Sequence, residues 1–185
     1  LQYRKIMGLE RDPIFLSYMQ HSFFRQLTQR LIGEDVSIFR AMFMNKPAER
    51  GTVLPWHQDV GVGWGVDNNP TATVWTALDP AMVATGCMQV VPGSHKHGVI
   101  SERHFPSEEQ LAECAPPGSE IDLEAEAGEA ILLNNLMLHR SGVNSTGKSR
   151  RAFSIAYMDG ASRSTRTGEG YPMIFGDGAL VPALS

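Results

Sequence analysis

Between Val36 and Asp159 the chain falls into eight short stretches rich in β-branched and aromatic residues, at 37–45, 53–59, 72–78, 88–91, 120–126, 130–134, 139–143 and 151–158. Turn-forming residues separate them, and with 18 Gly and 11 Pro in 185 residues no stretch runs far before it is broken. An all-β core of two packed antiparallel sheets, of jelly-roll type, is the architecture that such punctuation predicts. Helices are expected only at its margins, as a packing layer on the N-terminal side. Asp12 before Pro13 reads as a cap and a first helical residue, with Ile14, Phe15, Tyr18 and Met19 on one face. A second helix is predicted over 22–32, with Phe23, Leu27 and Leu31 four residues apart and Gly33 as its stop. Ser107 has capping-box spacing to Gln110 and opens a short third helix.

The bulk properties narrow the class. The length suits a single domain, 1–185, large enough to bury a core. No apolar run approaches the ~18 residues of a membrane span. A formal net charge of -4, without a basic cluster interleaved with aromatics, argues against a nucleic-acid partner. Cys87, expected in a strand, and Cys114, expected in a loop, form neither a disulfide framework nor a zinc spacing, as in a reducing cytoplasm. Because the chain starts at Leu1, any targeting segment and part of the N-terminal fold are expected to lie outside it.

Chemistry concentrates in a few polar residues. His57-Gln58-Asp59 ends a predicted strand, where residues i and i+2 point to one side, so His57 and Asp59 can reach one ion while Gln58 faces away. His139 opens a later strand and Arg150 heads another. Two imidazoles and a carboxylate are the set that holds non-haem Fe(II) with positions left open, and an arginine at a strand head offers a fork to a carboxylate. Each residue alone also reads as an ordinary strand-end group, as Arg151 beside Arg150 illustrates. A rival motif, His95-Lys96-His97 followed by Glu102, imitates a cupin metal site and would mean a cupin-like isomerase or a non-catalytic metal-binding module. His21 and His104 read as helix-surface and loop residues. Trp64, in the glycine-rich stretch 61–65, is a candidate cover for an apolar substrate, and 162–171, with Arg163 and Arg166, reads as a lid or a solvated tail.

His57-Gln58-Asp59, the ten-residue stretch Gly86 through His95 (Gly-Cys-Met-Gln-Val-Val-Pro-Gly-Ser-His), His139 with Ser141 and Asn144, and Arg150 together resemble the phytanoyl-CoA dioxygenase family of Fe(II)- and 2-oxoglutarate-dependent oxygenases. The resemblance runs from about residue 3 to 160. It implies a double-stranded β-helix in which the second and seventh predicted strands lie side by side, bringing His139 to His57. It further implies His57, Asp59 and His139 as iron ligands, and Arg150 with Ser141 as the seat of the distal carboxylate of 2-oxoglutarate. Trp75 and Met42 match positions that contact the co-substrate, and Lys5 matches an upstream lysine that adds positive charge. Halogenating relatives carry a small residue in place of the aspartate, so Asp59 implies hydroxylation of an aliphatic C–H bond, with O2 consumed and succinate and CO2 released. Ascorbate is a candidate reductant. Substrates of the family are small molecules: acyl-CoA thioesters, compatible solutes and secondary metabolites.

Overall fold

The computed structural model describes residues 5–48 and 53–182. All eight expected strands form: β2 (Val36–Lys46), β3 (Leu54–His57), β4 (Ala72–Ala77), β5 (Met88–Val90), β6 (Ile121–Leu123), β7 (Ala130–Asn134), β8 (His139–Ser141) and β9 (Arg150–Asp159). Two more, β1 (Lys5–Met7) and β10 (Met173–Phe175), both pair with β2 and are too short to leave a periodic signal. The larger sheet has the order β1-β2-β9-β4-β7, with β10 also on β2, and the smaller has the order β3-β8-β5-β6. Every strand pair is antiparallel. This is the double-stranded β-helix of jelly-roll type.

β9 explains why alternation fades in that stretch of sequence. It lies between β2 and β4 and is buried on both faces, so neither face needs polar residues. Phe153, Ile155 and Tyr157 pack outward beneath two helices, whereas Ala152 joins the layer between the sheets with Trp75, Met88 and Leu133. The helices are α1 (Pro13–Met19), whose N-terminal amides of Ile14 and Phe15 donate to the Asp12 carboxylate, and α2 (Ser22–Leu31).

The expected face of α1 largely holds, with Phe15 and Tyr18 packed against the core, whereas that of α2 is shifted. Leu16 and Met19 are buried in α1 while Ile14 is 78% exposed. In α2 the buried pair is Phe24 and Thr28, one position on from the expected Phe23 and Leu27; Phe23 and Leu31 are exposed. Thr28 hides its polarity by donating its hydroxyl to the Phe24 carbonyl at 2.8 Å, so a hydropathy pattern misreads it. Phe24 meets Tyr18 edge-on, and the Tyr18 hydroxyl is hydrogen-bonded to Thr76. α3 (Glu108–Cys114) carries the capping box of Ser107 and Gln110, and Cys114 is its last residue rather than part of a loop. Cys87 lies just ahead of β5 instead of within a strand; both thiols are free and buried. Among the described residues no helix is long and apolar enough to cross a membrane.

Candidate metal centre and its carboxylate pocket

β3 and β8 are neighbours, and their register sets His57 directly opposite His139. Their ring centroids are 4.1 Å apart. Three steps along β3 from Leu54 to His57 face two along β8 from Ser141 to His139, a bulge at the end of the pairing. β3 ends at His57, so strand alternation does not bring Asp59 to the cluster. Instead the chain bends, and the Asp59 amide donates to the Asn135 carbonyl at 3.0 Å while the Asn135 side chain donates to the Asp59 carbonyl at 3.1 Å. Asn135 in turn accepts from Thr73 of β4, which ties this bend to the larger sheet. Gln58 points away, as expected. Its amide donates to the Gly98 and Leu136 carbonyls and accepts from the Ile100 amide.

One ligand atom from each of His57, Asp59 and His139 lies within 4.8 Å of the others, and all three residues are buried. Both imidazoles are oriented the same way. Nδ1 of His57 bonds the Pro55 carbonyl at 2.8 Å and Nδ1 of His139 bonds the Met137 carbonyl at 2.9 Å. A carbonyl only accepts, so each Nδ1 carries the hydrogen and each Nε2 presents a lone pair to the shared space. Those Nε2 atoms are each 3.9 Å from an oxygen of Asp59. Burial, with His139 close by, pushes the His57 imidazole down to about 3, so it is neutral. Burial pushes the Asp59 carboxyl up, but Arg40 and the two histidines outweigh it and hold the group at about 2, ionised. Two imidazoles and one carboxylate, converging from different segments, form a donor set suited to a divalent metal with open positions.

Below the cluster lies a cavity lined by Met42, Trp75, Lys5, Ser141 and Arg150 together with the three cluster residues. Every residue expected at the site is thus brought to one cavity, Lys5 from β1. Arg150 is buried, its guanidinium is 5.4 Å from the centre of the Trp75 ring, and its Nε has no hydrogen-bond partner. Burial lowers the guanidinium to about 10, which leaves it charged at neutral pH. An orphaned, charged donor in a closed wall is matched by an anionic guest.

Lys46, which sequence reasoning passed over, pairs with Arg150 across β2 and β9. Its ammonium donates to the Ser141 hydroxyl at 2.9 Å and to the Gly142 carbonyl. Asn144 is wholly buried and donates to the Lys46 carbonyl, so it holds the strand end that carries this lysine. Gly86 has φ +72°, and a Cβ there would stand 2.5 Å from the Gly142 oxygen. The first residue of the Gly86 to His95 stretch is therefore glycine because its backbone abuts the carbonyl that Lys46 uses.

Two more residues belong to the site. Arg40 donates to Asp59 at 2.9 Å and lies under the Trp64 ring, with its guanidinium 4.7 Å from the ring centre. His104, expected to be an idle loop residue, lines the cavity with its ring 5.0 Å from that of His57. By contrast His95 and His97 lie in a 3-10 turn, and the only metal-competent cluster among the described residues is the one formed by His57, Asp59 and His139. The stretch 162–171 is mostly exposed but is tied to the loop before β4. The Asp67 amide donates to the Arg163 carbonyl and the Arg163 amide to the Asp67 carboxylate, Thr165 donates to the Gly65 carbonyl, and Arg166 donates to the Gly63 carbonyl.

Fold and cluster define a non-haem metal scaffold of jelly-roll type, and comparison with known proteins gives the same answer. Residues 3–152 match the phytanoyl-CoA dioxygenase (PhyH) family, and the chain belongs to that family. A probable phytanoyl-CoA dioxygenase of Caenorhabditis elegans is 30% identical over 169 residues, which cover 84% of this chain and 54% of the relative. The chain spans about half the length of the curated relatives it matches. Among solved structures, the apo form of the non-haem monooxygenase ThoJ is similar with a TM-score of 0.73 at 27% identity, covering 89% of this chain and 63% of that one. EctD from S. alaskensis, solved with 2-oxoglutarate and 5-hydroxyectoine, shares the fold with a TM-score of 0.76 at 22% identity, over 97% of this chain and 66% of its own.

Proposed function

We propose that this chain carries the active site of an Fe(II)- and 2-oxoglutarate-dependent dioxygenase that hydroxylates an aliphatic C–H bond of a small molecule. Overall, substrate, O2 and 2-oxoglutarate would become hydroxylated product, succinate and CO2. The observation that carries the reading is the pairing of the buried His57, Asp59 and His139 cluster with Arg150, whose Nε is unpartnered, on the wall of one cavity. Membership of the phytanoyl-CoA dioxygenase family supports it.

His57, Asp59 and His139 would hold the iron, with both histidines bonding through Nε2 because their Nδ1 hydrogens are spent on backbone carbonyls. Iron, when bound, supplies the redox chemistry that couples decarboxylation of the co-substrate to oxidation of a C–H bond. Arg150, Ser141 and Lys46 would seat the distal carboxylate of 2-oxoglutarate. Trp75 supports Arg150 from beneath, Met42 supplies apolar wall, and Lys5 adds positive charge from β1. Asp59 occupies the position that a halide would need, so the product expected is an alcohol. His104 lines the cavity, Trp64 lies behind it with ring centroids 5.9 Å apart, and the 162–171 stretch braces the loop that carries Trp64.

Anaerobic addition of Fe(II) and then 2-oxoglutarate tests the assignment. A weak visible charge-transfer band is expected. If no band forms and no 2-oxoglutarate is consumed in air, the cluster serves a different metal chemistry.

A further inference from the structure

The cavity wall carries four cationic side chains, Lys5, Arg40, Arg140 and Arg150, against one carboxylate, Asp59. Two of these are accounted for. Arg140 donates to Gln89 and Glu120 and stacks on Trp56. Arg150 is matched by the co-substrate in the reading above. Arg40 stands apart, because its only ion-pair partner among the described residues is Asp59. Once that carboxylate serves a divalent ion, its negative charge is engaged by the metal and Arg40 is left with a hydrogen bond but no charge match.

A guanidinium has five N–H donors in a planar fork. Nη2 of Arg40 is committed to Asp59, whereas its Nε is buried without a partner. The plane is braced by Trp64, itself stacked on Phe39 with centroids 4.9 Å apart. Arg40, Met42 and Met44 share the cavity-facing side of β2, and Arg150 lies across from Lys46 at its other end. Six residues of strand, roughly 20 Å of backbone, separate the two arginines' places on the sheet. Arg150 thus holds one end of the cavity and Arg40 the end beside the metal cluster.

We propose that Arg40 is a substrate-binding residue that selects a molecule bearing an anionic oxygen group, a carboxylate or a phosphate, and holds it by the N–H groups that Asp59 does not use. The proposal rests on the metal and co-substrate reading above. Octanoate, octyl phosphate and octanamide serve as probes, added anaerobically to the protein loaded with Fe(II) and 2-oxoglutarate. Binding is followed by the change in the visible band and by tryptophan fluorescence. At least one anion is expected to bind about 10- to 100-fold more tightly than the amide, the span of a hydrogen bond to a charged group. Which anion wins identifies the group. Arg40→Gln should erase the preference, and Arg40→Lys, which keeps the charge without the fork, should keep part of it. A preference that survives in Arg40→Gln, or equal or absent binding of all three probes by the wild type, overturns the assignment. Failure of the visible band in the wild type sinks the metal reading and this one with it, whereas a normal band without anion preference sinks only the role of Arg40. If Arg40→Gln loses the band, Arg40→Lys decides: a weakened anion preference supports the assignment and none overturns it.

Discussion

At the scale of the residue, burial keeps the His57 imidazole neutral and Arg40 with the two histidines keeps Asp59 ionised, the states a metal needs. Asp59→Ala is expected to weaken iron binding beyond the ~10–100-fold that loss of a supporting residue costs, and iron stoichiometry after gel filtration checks it. Arg150→Ala should chiefly raise the 2-oxoglutarate requirement, by about 30-fold or more, since truncating one partner of a buried charged pair costs ~2–5 kcal/mol. An unchanged requirement would hand the role to Lys46 or Lys5. The perturbed imidazole also sets an acid limit. An unfolded chain takes up a proton near 6.5 that folded His57 refuses until about 3, so the metal-free protein loses stability as pH falls through that window. Asp59, held at about 2 instead of 3.8, continues the loss below 3.8. Urea unfolding at about pH 7 and pH 5 should differ by an amount on the order of a kcal/mol or more, and His57→Gln should flatten the difference. The cluster of His57, Asp59 and His139 was legible in the sequence because its residue types and order are restrictive. Arg40, Lys46 and His104 were not. The first two look like ordinary polar residues of a strand until the fold closes, and His104 comes to His57 through a loop with no periodicity to read.

At the scale of the element, strands were easier to foresee than the faces of helices. β-branched and aromatic content marks a strand whatever it packs on, so eight were visible. The face of α1 was read nearly right, Ile14 excepted, whereas that of α2 was off by one position because Phe23 and Phe24 are adjacent and Thr28 hides its polarity. The strand argument for Asp59 gave the right neighbour for the wrong reason: β3 stops at His57, and Asn135 completes the geometry. Gly86 offers the cleanest test at this scale. Gly86→Ala puts a Cβ against the Gly142 carbonyl at a positive φ, a strain of about 1–3 kcal/mol. A fall of several degrees in Tm together with a raised 2-oxoglutarate requirement is expected, because Lys46 donates to that same carbonyl and to the Ser141 hydroxyl. A fall in Tm alone would detach that loop from the co-substrate seat.

At the scale of the whole molecule, the larger sheet has an apolar region on each face, a third cluster forms around Val91, Cys114 and Leu138, and the polar cavity lies on the side of the larger sheet away from the α1–α2 layer. Phe153 belongs to the helix side, where Phe15 and Tyr18 surround it. Phe153→Ala should cost ~3–5 kcal/mol with little change in co-substrate affinity, and a denaturant titration beside a binding titration separates the two effects. The place of β9 has a temporal consequence. This strand pairs with β2 from Val36↔Asp159 to Lys46↔Arg150 and with β4 on its other edge, so the central seam joins segments that most of the chain separates. Such long loops must close before their contacts are rewarded, and refolding on the millisecond-to-second scale is expected in stopped-flow experiments. During synthesis, β2 must wait with an open edge until Arg150–Asp159 leaves the ribosome, and that interval is when the nascent chain most needs a chaperone.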